Sequence, residues 1–194
     1  MEIGASKAVQ DRLKTTKIEE SKGASLVFCW DTHLTKIKGR NVLFIVNASN
    51  RYTIAMTDIE PRNWNYYTMY IRSVIHGVMQ EMGYSEDQIG QYFKMSGDTT
   101  VTKTHGRKSV GGINRMVMDA QYFGKKLEKE AKYQWELSEY LNRDICQPEG
   151  FDAYGYPSEL FKLDMERLGI ATKRKPAKVI DFTRYIDTNR NSNH

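Results

Sequence analysis

The apolar pattern of this chain changes its period near residue 60, and this change limits the folds open to it. Before that point, continuous apolar runs of strand length occupy 26–30 and 42–46, and residues 52–56 alternate. Such runs and alternation predict β-strands. After Pro61, apolar residues return at three- and four-residue steps, as on one helix face. Strands followed by helices predict an α+β fold.

Short polar connections separate the predicted strands. The segments 38–41 and 47–50 carry Gly and Asn, which adopt positive φ at little cost. Because short links join antiparallel neighbours, we expect an antiparallel meander sheet. The β-branched stretch 98–104 predicts one further strand in it. This sheet is expected to pack against several helices.

Helix start and stop signals divide the rest of the chain. Helices are predicted to start at Ser6, Pro61, Ser85, Ser109 and Ser158. The fourth of them is predicted to be long, with a buried stripe that runs from Met116 to Trp135. The last is predicted to end at Gly169, since glycine favours the helix C-terminus.

Length and chain breakers predict how the domain is organised. A chain of 194 residues fits one domain with room for an appendage. Breakers at 147–150 and 154–157 favour an α+β core domain at 1–145. A helical extension is then expected at 146–194, with a basic tail at 173–176. The sequence leaves the oligomeric state open.

Charge and hydropathy limit the classes of partner that this chain is expected to have. The net charge of +5 favours a polyanion such as nucleic acid, although a solvated surface with spare lysines is the alternative. No stretch approaches the roughly 18 apolar residues of a membrane span, and no apolar signal core opens the chain. We therefore expect a cytoplasmic protein with no membrane partner.

The two cysteines, Cys29 and Cys146, give no metal-like spacing. Cys29 lies in an apolar run and is expected to be a small buried hydrophobe, whereas Cys146 lies in a polar segment before Pro148. The sequence thus predicts no metal site and no cofactor, and it does not support a disulfide.

The segment 103–115 is the strongest candidate for a binding site. Four basic residues and no acid lie between Thr99 and Met118, namely Lys103, Arg107, Lys108 and Arg115. Gly106 lets the backbone approach a ligand, and a helix capped by Ser109 would offer free N–H groups to an anion. The guanidinium of Arg107 suits phosphate. The alternative is an ordinary helix cap among surface lysines.

Two histidines suggest a second hypothesis, a metal-independent endoribonuclease. His105 lies in the basic segment and His33 follows the first predicted strand. One would deprotonate a 2′-hydroxyl, the other would protonate the leaving oxygen, and Lys103 or another cation would stabilise the phosphorane. The alternative is two surface histidines that share no site.

Four short motifs stand in order between residues 24 and 123. They are Trp30-x-x-x-Leu34, the run 38–47, the run 51–54, and Thr104-x-x-Arg107-x-Ser109-Val110-x-Gly112-x-Asn114. Together they resemble a family of small uncharacterised bacterial proteins, often carried on plasmids, prophages and integrated elements. The chain departs from that pattern in two ways. Lys108 is an additional residue within the last motif, and His105 stands where other polar residues are common.

This resemblance implies a function. Some proteins of this setting resemble inhibitors of type II CRISPR systems, certain of which shorten or deplete the guide RNA of the Cas9–guide RNA complex. The expected partners are then guide RNA and Cas9 in a bacterial host cell. The motif positions implied to line one functional face are Arg40, Asn47, Arg107, Ser109 and Asn114. Alternatively, these residues hold turns and a helix cap, and the protein is a small-anion or nucleotide binding module or a free-standing ribonuclease.

Overall fold

A five-stranded mixed sheet lies at the centre of the computed structural model, which describes residues 1–15 and 18–172. The strands are β1 (Glu2–Ala5), β2 (Cys29–Ile37), β3 (Arg40–Asn47), β4 (Thr53–Thr57) and β5 (Thr100–Thr102). The helices are α1 (Lys7–Leu13), α2 (Pro61–Asn65), α3 (Tyr67–Glu81), α4 (Glu86–Ser96), α5 (Gly106–Gln121), α6 (Trp135–Asn142) and α7 (Pro157–Arg167). The α+β class is confirmed. The predicted basic tail lies outside the described residues.

The sheet has the order β4-β3-β2-β1-β5, and only part of it is the predicted meander. The strands β2, β3 and β4 pair antiparallel, as expected from their short links. The prediction is wrong for the other half, because β1 pairs parallel with both β2 and β5. Long helical connections precede both partners, and such crossovers permit parallel neighbours.

Helices cover both faces of the sheet and bury two apolar layers. One layer packs α1, α3, α4 and α7 on the first face and includes Ile3, Trp30, Ile54, Ile71, Ile75 and Phe161. The other packs α5 and α6 on the second face and includes Phe44, Val46, Ala55, Ile113, Met116 and Leu137. Alternate residues of β2 therefore face opposite layers. Trp30 contacts Tyr92 of α4 and Phe161 of α7, whereas Asp31 faces α5 with its cross-strand partner Val46.

Several predicted element boundaries need correction. The run 26–30 is not one strand, because a 3₁₀ turn over Leu26–Phe28 precedes β2. The helix predicted from Pro61 is interrupted at Tyr66, which has non-helical backbone angles. The start at Ser85 is confirmed by a capping box with Gln88.

The two later helices also start elsewhere than predicted. α5 begins at Gly106, so Ser109 lies inside the helix rather than at its N-cap. It ends at Gln121, and Trp135 starts the separate helix α6 with much of its ring exposed. α7 begins at Pro157, with Tyr156 and not Ser158 as its N-cap. Proline is well suited to a first helical turn, which accounts for this shift.

The segment after residue 146 contributes to the first apolar layer. Phe161 and Met165 of α7 are fully buried there, and Asp164 accepts a 2.9 Å hydrogen bond from Asn50. The boundary between 1–145 and 146–194 stays a prediction. No helix in the described part of the chain has the length and apolar character needed to cross a membrane.

Candidate functional site

Three ionisable side chains are buried together where β1, β2 and the start of α5 meet. They are Glu2, Asp31 and His105, which keep 4%, 0% and 7% of their exposure. The parallel register of β1 and β2 aligns Gly4 with Asp31. A side chain at position 4 would not fit, because its Cβ would lie 1.9 Å from Asp31 Oδ1. The absence of a side chain at Gly4 thus makes room for the carboxyl group.

Hydrogen bonds connect these three side chains into one cluster. The ring of His105 lies between two carboxyl groups, with Nδ1 2.7 Å from Asp31 Oδ1 and Nε2 3.0 Å from Glu2 Oε2. Ser109 Oγ donates to Asp31 Oδ2 at 2.5 Å. The backbone N–H of Lys22 donates to Glu2 Oε1 at 2.8 Å. Every carboxyl oxygen of the cluster therefore has a partner, as buried polar groups require.

The cluster stabilises the charged form of the imidazole. Burial on its own lowers the pKa of His105, but hydrogen bonds to Asp31 and Cys29 outweigh burial and raise the pKa to about 10. For Glu2, burial raises the pKa, whereas hydrogen bonds from Ser21, His105 and the Lys22 backbone lower it further than burial raises it. Both shifts favour the pair of an imidazolium and a carboxylate over its neutral form.

An open cleft of about 630 Å³ borders the cluster. Its lining residues include His105, Glu20, Ser21, Gly106, Arg107 and Lys108. The cleft is therefore lined both by the start of α5 and by the segment that leads to β2. This is the place where the predicted basic segment meets solvent.

The outer side of α5 carries exposed residues at helical spacing, which we call the α5 face. Its members are Arg107, Asn114, Arg115, Met118 and Tyr122. Met118 keeps 61% and Tyr122 keeps 80% of their exposure, so two large apolar side chains lie in water. Arg115 Nε is 3.5 Å from Asp119 Oδ2 on the next turn. A surface that combines cations with exposed rings is typical of nucleic-acid contacts.

A family model described as "Domain of unknown function (DUF6933)" matches residues 2–160. The chain belongs to this family. The matched range contains the buried cluster, the cleft and the α5 face. It agrees with the expected membership of an uncharacterised family. No curated protein and no solved structure matches the chain.

In the described part of the DUF6933 domain, no hydrogen bond or ion pair joins the predicted catalytic residues to one another. His105 is buried with both ring nitrogens bonded, rather than lying on an open loop. His33 is half-buried on the face of β2 that carries Asp31, and burial lowers its pKa. Lys103 is exposed and forms an ion pair with Glu20. Among the described residues no hydrogen bond joins His33 to His105, so the acid–base mechanism stays a prediction.

The predicted anion-binding residues divide between surface and interior. Gly106, Arg107 and Lys108 form the first turn of α5, where Lys108 Nζ donates to Pro148 O at 3.2 Å. The hydroxyl of Ser109 donates to the carboxyl group of Asp31. The same carboxyl group also accepts a hydrogen bond from the backbone N–H of His105 at 3.1 Å. The positive end of the helix thus already faces an internal carboxyl group.

Arg40 and Asn47 lie at opposite ends of β3, roughly 24 Å apart along an extended strand. Arg40 forms an ion pair with Asp58 and donates to Glu128 O at 2.7 Å. Asn47 is fully buried and accepts the N–H of Ser49 at 3.0 Å, which holds the turn before β4. Neither residue lies on the α5 face.

Sequence reasoning identified His105 and Ser109 but missed the groups that bind them. Asp31 carried a weak signal, because it is an acid inside a buried strand. Glu2 carried none, since β1 is too short to show a periodicity. Both partners were brought to His105 by the parallel pairing of β1 with β2.

Proposed function

We propose that this protein binds RNA through the α5 face, and that the RNA is a guide RNA in complex with Cas9. The main support is that Arg107, Arg115 and Tyr122 are all exposed on one side of the same helix. Arginine recognises phosphate through its planar fork, and an exposed ring offers a surface for base stacking.

The charge around this face supports a polyanionic partner. No acid occurs from Thr99 to Met118, and Arg107 and Lys108 lie in the first turn of α5, whereas Lys103 is paired with Glu20. The nearest acid on the helix is Asp119, which lies beyond Arg115 and neutralises it only in part, at 3.5 Å.

The length of the face fits an extended strand of nucleic acid. Fifteen helical steps separate Arg107 from Tyr122, which corresponds to about 22 Å along the axis. This length accommodates several nucleotides, with phosphates near the arginines and a base against Tyr122. The exposed thioether of Met118 lies between them and is a soft, adaptable contact.

The geometry favours binding over cleavage. A general acid or base must reach the substrate with a free nitrogen. In this protein both nitrogens of His105 contact carboxyl groups of Asp31 and Glu2. The specific partner, a Cas9–guide RNA complex, is proposed from the resemblance of the motifs to mobile-element proteins.

The RNA-binding proposal is tested by fluorescence anisotropy with labelled single-stranded RNA at several salt concentrations. Each of Arg107→Ala and Arg115→Ala is expected to weaken binding and to reduce the salt slope by about 0.7 to 0.9, the loss of one phosphate contact. The matched control is Arg62→Ala, an exposed arginine of α2 on the other side of the sheet. Equal slopes for all three variants would contradict the proposal.

Tyr122→Ala tests the stacking contact. Loss of a stacked base is expected to cost about 1–3 kcal/mol of binding free energy without changing the salt slope. Tyr154→Ala is the control, because that ring is also exposed but does not belong to the α5 face. A Tyr122→Ala variant that binds as tightly as the control would exclude stacking there.

The partner is tested by incubating the protein with a Cas9–guide RNA complex and following the guide by electrophoresis. Retention of an intact guide in a larger complex is the expected result. A shortened guide would indicate the ribonuclease hypothesis instead. No effect on the guide, together with intact binding to free RNA, would exclude the Cas9 complex and leave the α5 face as an RNA site.

A further inference from the structure

We propose that Glu2, Cys29 and His105 form a zinc-binding site that is independent of the α5 face. One carboxylate oxygen, one thiol sulfur and one imidazole nitrogen lie within 4.8 Å of one another, and all three residues are buried. Oxygen, sulfur and nitrogen donors thus lie close together in the interior.

The donors match the ligand chemistry of Zn²⁺. Zinc binds carboxylate oxygen, imidazole nitrogen and thiolate sulfur at about 2.0–2.3 Å in tetrahedral sites, which places neighbouring ligand atoms about 3.3–3.8 Å apart. His105 Nε2 and Glu2 Oε2 are already 3.0 Å apart, so a small opening would admit an ion. A mixed sulfur and nitrogen set disfavours Mg²⁺ and Ca²⁺, which prefer oxygen ligands.

Asp31 orients the imidazole of His105 as a carboxylate does behind a metal-binding histidine. Metal-binding histidines usually donate their other ring N–H to a carboxylate, which fixes the tautomer and orients the ring. In this protein Nδ1 of His105 is 2.7 Å from Asp31 Oδ1, which directs Nε2 toward Glu2. Asp31 is held in turn by Ser109 Oγ and by the backbone N–H of His105.

Rigid elements hold the proposed ligands. Glu2 and Cys29 are direct neighbours in the parallel register of β1 and β2. His105 is fixed by the start of α5, immediately after the segment that follows β5. The cleft beside His105 offers an entry path for the ion, a feature that a plausible metal site needs.

Coordination requires Cys29 as the thiolate and His105 Nε2 without a proton, so the bound ion replaces both protons. Without an ion, the Cys29 thiol is 3.5 Å from Ser25 O and 3.6 Å from Ala24 O, ordinary distances for hydrogen bonds from sulfur. Coordination of an ion would replace these neutral S–H bonds. No spacing in the sequence indicated this site, because its ligands are 27 and 76 residues apart in the chain, the intervals from 2 to 29 and from 29 to 105.

Cobalt and zinc titrations of the full chain test the site. The purified protein is stripped with a chelator, titrated with Co²⁺ and then with Zn²⁺, and its metal content is measured after dialysis. We expect about one ion per chain, with a near-ultraviolet thiolate-to-cobalt band that Zn²⁺ removes. Absence of stoichiometric binding by the unmodified chain would overturn the proposal.

Matched cysteine variants locate the ligand. Cys29→Ser is expected to lose the thiolate band and to bind zinc at least tenfold more weakly, whereas Cys146→Ser, which changes the other buried cysteine, is expected to keep both properties. The opposite pattern would overturn the assignment. Asp31→Asn is expected to weaken zinc binding by about 10–100-fold, as does the loss of other carboxylates that hydrogen-bond to metal-binding histidines.

A second measurement avoids dependence on the folding of Cys29→Ser. In the Cys146→Ser background, Cys29 is the single thiol, and its rate of alkylation is measured with and without Zn²⁺. Zinc is expected to slow alkylation strongly, with circular dichroism unchanged. An alkylation rate that zinc leaves unaltered would contradict coordination by Cys29.

Discussion

Two regions of this protein bury polar groups and satisfy their hydrogen bonds in different ways. At the junction of β1, β2 and α5, charged side chains bond to one another, with His105 between Asp31 and Glu2. At the outer edge of β4, uncharged side chains bond to backbone. Asn142 donates to Thr53 O and accepts the Thr53 N–H, both at 2.8 Å.

The β4 region completes a sheet edge. Ser138 Oγ accepts the N–H of Ala55 at 3.0 Å, and the N–H of Gln134 donates to Ala55 O at 2.9 Å. The segment before α6 and the first turns of the helix thus occupy the places of a neighbouring strand. Exposed strand edges invite association with other chains, and covering them avoids this. This region therefore serves the fold.

The cluster at β1 and β2 does not complete a backbone ladder. Buried ion pairs are often no more stable than apolar packing of the same volume, so stability alone is a weak reason for one. The cluster also borders a cleft and holds side chains that can bind a metal. The charged cluster at β1 and β2 is therefore the better candidate for ligand binding, whereas the hydrogen bonds at the edge of β4 serve the fold.

The largest predicted effect is that of His105→Ala on stability. The substitution removes the cation and leaves the carboxyl groups of Asp31 and Glu2 buried beside an empty space. Breaking a buried pair in this way costs about 3–5 kcal/mol. Denaturant unfolding in the presence of a chelator measures the loss without any contribution from metal. His33→Ala, on the same face of β2 but half-buried, is the control. Equal stability of the two variants would mean that the cluster is not an ion-paired unit.

Asn142→Ala is predicted to have the next largest effect. It leaves both the N–H and the C=O of Thr53 without their partner, and each buried unsatisfied group costs about 1–3 kcal/mol. Because Thr53 lies on an edge strand that water can reach once the amide is removed, we expect the lower part of this sum, about 2–4 kcal/mol in the free energy of unfolding, together with a greater tendency to associate. Asn114→Ala, on the exposed α5 face, is expected to change stability by less than about 0.5 kcal/mol. A stable, monomer-like Asn142→Ala variant would show that the amide is dispensable at this edge.

The sequence predicted what local periodicity encodes. Apolar runs and helical spacing gave the α+β class, the meander β2-β3-β4 and most helices. The strand β1 was missed because four buried residues show no alternation. Its parallel pairing with β2 and β5 depends on contacts between distant segments, which local pattern does not record.

The candidate site shows the same limit. The basic segment at 103–115 was recognised, but the partners of His105 lie 74 and 103 positions away in the chain. Ser109 was predicted as a helix cap from its residue type, which favours such positions. Its hydroxyl instead bonds to Asp31 on another strand. The residue type correctly indicated that the Ser109 hydroxyl forms a hydrogen bond. Its partner, Asp31, could be identified only from the fold.

The smallest predicted effect, and the finest test of the charged region, is that of Ser109→Ala. The lost hydrogen bond to Asp31 is expected to cost about 1.5 kcal/mol, at the lower end for bonds to charged groups. Alanine returns about 0.5 kcal/mol through its higher helix propensity, so the net loss is about 1 kcal/mol.

Ser73→Ala separates these two contributions. Ser73 is exposed within α3, so this variant gains the helix propensity without losing a bond to a buried carboxyl group. We expect it to be about 0.5 kcal/mol more stable than the unmodified protein, which makes a difference of about 1.5 kcal/mol between the two variants. Chemical unfolding of both variants in chelator measures this difference. If they were equally stable, the hydroxyl would contribute nothing to holding Asp31, and the charged cluster would have to be maintained by His105 and the backbone alone.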